Sequence, residues 1–394
     1  IFAICNKECK YMINVKEKSK CSGCYCCINI CPKKCIEMKA DEEGFEYPIV
    51  NKNVCINCNL CEKHCPIVNK ERNIEEPIAY AAINKNEEIR NESSSGGMFT
   101  LLAEAVLNKG GVVYGAAFND EYMVEHIKVT QKEDLKLLRG SKYVQSKIGT
   151  IYEDVRDSLQ NGKWVYFTGT PCQVDGLLAY LGKEDSHLIC QDIVCHGVPS
   201  PKIWKWYLKQ FKLDNARISF RDKSTGWESY SFTINQKKKF TQYASDNLYM
   251  RAFVKNLSLR PSCYECQSKG IKRKSDITLG DFWGINKVCP EMQDGKGTSL
   301  IFVSSEKGVR LLNEIKDKIE LRKVTIADAV KYNPAIIVSS SQPTERTEFM
   351  KKIEKGRFNK ITYRYVKDPF ILRMKIMIYR FFVKRHKNKA DRKE

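Results

Sequence analysis

Beyond Ile78 the chain alternates two hydrophobic periods. Ile78–Ile83, Val112–Phe118, Trp164–Phe167 and Leu188–Val194 are short apolar runs and predict strands. Between them Met98–Leu107, Ile148–Leu159 and Val174–Leu181 carry apolar residues at helical spacing and predict helices. Residues 215–243 are richer in strand-like alternation, and 298–330 return to strand followed by helix. Strands interleaved with helices predict α/β packing for residues 73–350. The flanks differ. Residues 1–20 are lysine-rich, Asn69–Pro77 reads as a polar linker closing a first domain at 1–72, and 351–394 form a basic tail, helical in period from Phe370.

Composition narrows the class. The chain has 394 residues, 42% of them apolar, which is globular and argues against wholesale disorder. No stretch approaches the ~18 uncharged apolar residues of a membrane span. The opening Ile1–Cys5 has neither a signal-peptide pattern nor an initiator Met, so a fragment or a processed start is expected. Eighteen cysteines without a secretory signal point to metal ligation in a reducing, cytoplasmic setting rather than to disulfides. The net charge of +20 suggests nucleic acid until it is divided: residues 351–394 hold 16 Lys and Arg against 4 Asp and Glu. No basic stripe interleaved with aromatics occurs in the body of the chain, so no nucleic-acid partner is expected.

Ten cysteines fall within residues 21–66, in two runs. The first is Cys21-x2-Cys24-x2-Cys27-x3-Cys31-Pro32 and the second Cys55-x2-Cys58-x2-Cys61-x3-Cys65-Pro66. Each matches the bacterial two-cluster ferredoxin run, whose fourth Cys ligates the other cluster. One [4Fe-4S] cluster would then take Cys21, Cys24, Cys27 and Cys65, and a second Cys55, Cys58, Cys61 and Cys31. A zinc site can be built from two CxxC pairs, but zinc needs no second complete run ending in Pro. Cys26 and Cys35 are surplus to the pattern and read as packing residues, while Cys5 and Cys9 fit no spacing.

Six cysteines remain. Cys263-x2-Cys266 is a chelating pair that needs two more thiolates to hold a third cluster. Cys172, in Gly169-Thr170-Pro171-Cys172-Gln173, and Cys195, in Cys195-His196-Gly197-Val198-Pro199, follow neighbouring strands, where α/β sheets gather their sites. A third cluster and four structural thiols are both open readings. Cys190, inside a strand, reads as a core thiol, and Cys289 has no assigned role. Ser93-Ser94-Ser95-Gly96-Gly97 stands before the helix at Met98, where free N–H groups favour anions. A capping turn is the plainer reading. Arg139-Gly140-Ser141-Lys142-Tyr143 adds cations and a hydroxyl, or is a solvated loop. With Gly169 and Thr170 these segments could cradle a nucleotide, although none is a GxGxxG or Walker loop.

Five ordered motifs carry a resemblance: Ser94–Gly97, Arg139–Tyr143, Gly169–Gln173, Cys195–Pro199 and Asp276–Gly284. The chain is similar to the coenzyme F420 hydrogenase/dehydrogenase beta-subunit family over roughly residues 21 to 340, with a two-cluster ferredoxin segment fused in front. The resemblance implies an α+β protein: a small bacterial-type two-cluster ferredoxin domain followed by a larger α/β flavin-binding domain. It implies a flavin, usually FAD, beside a third [4Fe-4S] cluster, whose motifs fall on Cys172, Cys195, Cys263 and Cys266. Ser95, Gly96, Gly97, Arg139, Gly140, Ser141, Lys142, Tyr143, Gly169 and Thr170 would meet the flavin. Lys142 or His196 would tune its ring, contact a phosphate or stand solvated, and Asp281 and Trp283 would line the pocket, a core place being the plainer reading for the aromatic. The expected function is a flavin-dependent iron–sulfur oxidoreductase. It would pass electrons between a small hydride donor or acceptor, coenzyme F420 or another, and a redox protein such as ferredoxin or a partner oxidoreductase subunit. The alternative is a non-catalytic electron-transfer subunit or adaptor of a larger redox complex. For the basic tail, packing on the body competes with contact to an anionic membrane surface.

Overall fold

The structure is a computed structural model that describes residues 13–68, 75–353 and 356–368. Cys5 and Cys9, most of the expected linker and the tail from Phe370 lie outside the described residues. After the first cysteine run an antiparallel hairpin forms from β1 (Ile36–Ala40) and β2 (Glu46–Val50). The body is built on β3 (Ile78–Asn84), β4 (Val112–Phe118), β5 (Val124–Val129), β6 (Val165–Thr168) and β7 (Leu188–Ile193). A separate antiparallel sheet contains β8 (Arg217–Asp222), β9 (Ser231–Asn235) and β10 (Phe240–Tyr243). β11 (Ile277–Asp281), β12 (Ser299–Val303) and β13 (Ile319–Val324) complete the eight-stranded main sheet, ordered β13-β3-β12-β11-β7-β6-β4-β5. β11, β7, β6 and β4 pair in parallel, and β3 runs their way across the antiparallel β12. The carboxyl ends of five strands therefore share one sheet edge.

Strand alternation buries both faces of this sheet. Tyr166 and Ile189 pack against the helices Met98–Leu107 and Glu306–Glu314. Their neighbours Val165, Phe167, Leu188 and Cys190 face the helices Ile151–Gln160 and Pro171–Leu181. Tyr25 and Cys26 of the first cysteine run are buried in that second cluster. Phe45 and Tyr47 of the hairpin join a third core with Trp204, Phe220 and Phe232. The helices Arg346–Ile353 and Phe358–Val366 pack into it through Phe349, Phe358 and Val366, so the described start of the tail rests on the body.

Two elements depart from the pattern-based expectation. The helix expected from Val174 begins at Pro171, because Thr170 and Gln173 form a capping box and Pro occupies the first turn. Cys172 thus sits on the helix rather than before it. β5 went unpredicted because His126 and Lys128 interrupt its apolar run. His126 is buried, its ring within hydrogen-bond reach of Ser146 Oγ at 2.7 Å and Thr168 O at 3.0 Å, and stacked on Phe167. Burial, then the nearby Lys142, pushes its pKa down to about 4 from 6.5. The unfolded chain therefore takes up this proton first, and stability is lost as pH falls from 6.5 towards 4, by about 3 kcal/mol. Urea midpoints of wild type and His126→Asn at pH 7 and pH 4.5 check this: the variant should show a visibly flatter loss on acidification.

Candidate functional site

The two cysteine runs fold alike down to individual dihedrals. Gly23 and Tyr25 flank Cys24 with φ of 66° and 67°, and Asn57 and Asn59 flank Cys58 with φ of 58° and 62°. Alternating left-handed residues curl each loop around its sulfurs, a conformation Gly and Asn accept and Tyr25 holds under strain. Short helices, Cys26–Ile30 and Leu60–Lys63, then carry the third cysteine and turn the chain.

This geometry gathers the thiols around separate cavities. Cys21, Cys24, Cys27 and Cys65 line the first, with Cys26 beside them. Cys31, Cys55, Cys58 and Cys61 line the second, with Cys35. Cys172, Cys195, Cys263 and Cys266 line a third, although they come from three distant parts of the chain. Among the described residues no three His, Cys, Asp or Glu side chains stand close enough to share a single metal ion. A cubane binds one thiolate at each of four irons, which four thiols set around one cavity suit.

The surroundings favour an anionic, sulfur-ligated occupant. Lys269 and Arg273 line the third cavity, and the Lys269 ammonium donates to Cys195 O and Ala335 O. Val198 N–H donates to Cys263 Sγ at 3.4 Å, Ile13 N–H to Cys61 Sγ at 3.3 Å and Asn57 N–H to Cys55 Sγ at 3.4 Å. Such donors stabilise thiolates and set cluster potentials. As free thiols three of the cavity cysteines resist ionisation: burial pushes Cys195 up to about 11, and Cys24 and Cys263 up to about 12. Metal loading must therefore release protons.

The first and third cavities adjoin, since Ser22 and Ile67 line both. The helix Pro171–Leu181 carries Cys172 at its start and Gly176 one turn on, where a Cβ would meet Cys24 Cβ at 2.8 Å. A glycine is required there for the first loop to approach. Arg260, three residues before Cys263, is 1% exposed. Its guanidinium donates to Cys21 O at 2.8 Å, Glu46 O at 2.9 Å and Gln145 Oε1 at 3.0 Å, with Cys21 Sγ 3.7 Å away.

The residues expected at a flavin lie on the common sheet edge. Ser95 Oγ donates to Thr298 O, and Gly96 N–H donates to Ser299 Oγ, so that N–H is already engaged. Gly97 caps the helix Met98–Leu107 at φ 82°. The Ser141 N–H donates to Ser94 Oγ at 2.8 Å, joining the two loops, and Gly140 takes φ 84° just before it. Arg139 pairs with Glu92. Lys142 turns its ammonium onto Leu138 O, Arg139 O and Gly140 O, and burial, aided by Arg217, lowers its pKa to about 7. Gly169 and Thr170 follow β6, and Thr170 Oγ1 lies 3.2 Å from Cys172 Sγ. His196 lines the third cavity, its ring 2.6 Å from Asn256 Oδ1 and edge-on to Phe253, with its pKa lowered by burial. Phe253 stacks in turn on Tyr143 at 4.6 Å, so one aromatic ring separates Tyr143 from the wall of the third cavity.

Sequence reasoning missed Arg221 and Lys223. Arg221 binds Asp281 at 2.8 Å, reaches Ser94 O and Tyr143 OH, and covers the Tyr230 ring at 4.0 Å. Its buried Nε has no partner among the described residues. Lys223 donates to Ser95 O, Arg90 O and Lys296 O, and burial lowers its pKa to about 8. Trp283 stacks on Trp227 beside them. β8 and β9 bring these cations to the serine loop, and no sequence spacing ties 221 to 94.

A ferredoxin-type segment packed on a mixed α/β body defines an iron–sulfur oxidoreductase component. The chain belongs to the coenzyme F420 hydrogenase/dehydrogenase beta-subunit family: the N-terminal model matches residues 79–152 and the C-terminal model residues 162–328. It is 22% identical over 325 residues to a component of the F(420)H(2) dehydrogenase of Methanosarcina mazei, covering 76% of this chain and 84% of that protein. Shorter matches support the fused ferredoxin segment and its iron–sulfur chemistry. A component of the NADH-quinone oxidoreductase of Geobacter metallireducens is 36% identical over 58 residues, which cover 13% of this chain and 42% of that protein. An uncharacterized ferredoxin of Methanocaldococcus jannaschii is 35% identical over 52 residues, covering 13% of this chain and 66% of that protein. A chain of the F420-reducing [NiFe] hydrogenase complex from Methanosarcina barkeri superposes with TM-score 0.45 at 16% identity, covering 72% of this chain and 94% of that one. Among the described residues no helix is long and apolar enough to cross a membrane.

Proposed function

We propose that this chain is a flavin-dependent iron–sulfur oxidoreductase that connects a small hydride donor or acceptor to a one-electron redox protein. The observation that carries it is the gathering of fourteen cysteines around three cavities, among them the four expected at each cluster, the third cavity lying on the sheet edge that also holds the serine loop. In this reading Cys172, Cys195, Cys263 and Cys266 hold one [4Fe-4S] cluster, and the two ferredoxin runs hold two more with their fourth cysteines exchanged. The adjoining walls at Ser22 and Ile67 support an order in which the Cys21 site lies next to the body and the Cys55 site outermost.

FAD would lie along Ser95–Gly97, Arg139–Tyr143 and Gly169–Thr170, and when bound supplies the exchange between hydride and single electrons. The unpartnered Nε of buried Arg221, with the nearby Lys223, fits an anionic or acceptor group at Ser94–Ser95. Asp281 holds Arg221 in place, and the Trp283 ring lies 5.6 Å from its guanidinium. The hydride partner is coenzyme F420 or a molecule of similar chemistry, and residues 1–72 serve as the electron-transfer domain of the hydride-exchanging body, 73–350.

Metal analysis tests the reading. Protein purified anaerobically should carry about twelve iron atoms per chain with matching acid-labile sulfide. About eight would remove the third cluster, and zinc in place of iron would overturn the electron-transfer reading altogether.

A further inference from the structure

The second cavity holds one thiol more than a cubane uses. Cys35 lines it together with Cys31, Cys55, Cys58 and Cys61. Cys35 Sγ stands 3.4 Å from Cys31 Sγ, within hydrogen-bond reach. Both Cys31 and Cys35 are buried, at 7% and 8% exposure, within one small core that also contains Cys61. The position of Cys35 is fixed from the backbone, where Cys35 O accepts from Asn51 N–H at 2.8 Å just before β1.

The first cavity supplies the contrast. Its surplus thiol, Cys26, donates to His64 O at 3.2 Å and is thereby engaged elsewhere. The Cys35 thiol instead meets the thiol of Cys31, inside its own cavity. The feature is also confined to one half of the repeat: four residues after Cys31 stands Cys35, whereas four residues after Cys65 stands Asn69. Spacing alone selects Cys31 as the fourth ligand. Proximity does not distinguish it from Cys35.

On the cluster reading above, we infer that Cys35 is an alternative fourth ligand of the second cluster, exchangeable with Cys31. In the exchange one iron–sulfur bond to Cys31 breaks and one to Cys35 forms. The Cys35 proton passes to Cys31, and no electron is gained or lost. The outermost cluster can then survive loss or modification of Cys31, and its environment differs between two ligation states.

The test is anaerobic purification of the full-length wild type, Cys31→Ala, Cys35→Ala, Cys31→Ala/Cys35→Ala and, as the matched control, Cys65→Ala. The readouts are iron, acid-labile sulfide and the electron paramagnetic resonance spectrum after dithionite reduction, with far-ultraviolet circular dichroism to confirm folding. Cys31→Ala should retain wild-type iron and a full second-cluster signal, shifted in line shape by the new ligand. The double variant should lose that signal and up to about a third of the iron, four atoms of twelve. Cys65→Ala should lose the first cluster, because Cys26 is engaged by His64. A folded Cys31→Ala that loses as much iron as the double variant overturns the inference and leaves the cluster reading intact. Wild-type protein without iron overturns both.

Discussion

Arg260→Ala is expected to destabilise the protein by about 3 kcal/mol and to loosen the first cluster site. Arg260 is buried and satisfies Cys21 O, Glu46 O and Gln145 Oε1 at once, with its guanidinium over the Tyr47 ring at 4.4 Å. Truncation strands these acceptors in the interior and removes the donor nearest Cys21 Sγ. A buried acceptor left without a partner costs about 1–3 kcal/mol, and not every one can recruit water. Gly23 worsens the outcome, because it leaves room only for the guanidinium, a Cβ there lying 2.8 Å from Nη1. Urea unfolding followed by circular dichroism measures the loss, and the iron remaining after desalting reports the site. A change below about 1 kcal/mol with full iron would show that Arg260 does not fasten the cysteine run to the body.

A Cys263→Ala protein should lose about four of about twelve iron atoms and uncouple the two ends of the molecule. The change leaves Cys172, Cys195 and Cys266 at the third cavity, too few for a stable cubane. Neither the Ser141–Ser94 contact nor the Arg221–Asp281 pair runs through Cys263, so the proposed flavin site should stay formed. Bleaching of bound flavin by a hydride donor should stay within about twofold of wild type, since hydride transfer needs no iron. Bleaching of the remaining iron–sulfur absorbance should slow by at least about tenfold, because the third site, between the flavin site and the first cavity, is gone. Stopped-flow absorbance follows both in one experiment. Equal slowing of both phases would place Cys263 in the flavin site itself, and unimpaired cluster reduction would require another route.

Chemistry that lies in consecutive residues was legible without coordinates. The two cysteine runs announce their loops because four thiols and a proline at fixed spacing leave one way to close each turn. Main-sheet strands such as Val112–Phe118 and the helix Met98–Leu107 were also legible, because burial of both sheet faces demands unbroken apolar runs between helices. Where a buried polar residue interrupts such a run, as His126 does in β5, the pattern fails.

The tertiary structure decided what meets across the chain, including the four cysteines that the sequence left open between a third cluster and structural thiols. Cys172, Cys195, Cys263 and Cys266 share a cavity because parallel strands deliver β6 and β7 to one edge and the turn at Pro261–Cys263 folds back over it. Arg221 and Lys223 reach the serine loop only through the separate sheet of β8 and β9, and they carry no spacing that marks them. Arg260 reads as one more basic residue until its burial against Cys21 is seen. Cys35 shows the same limit inside a motif: spacing separated it from the ligand set, and only the fold returned it to Cys31. Local spacing determines which atoms a loop can present, whereas long-range packing determines which loops meet.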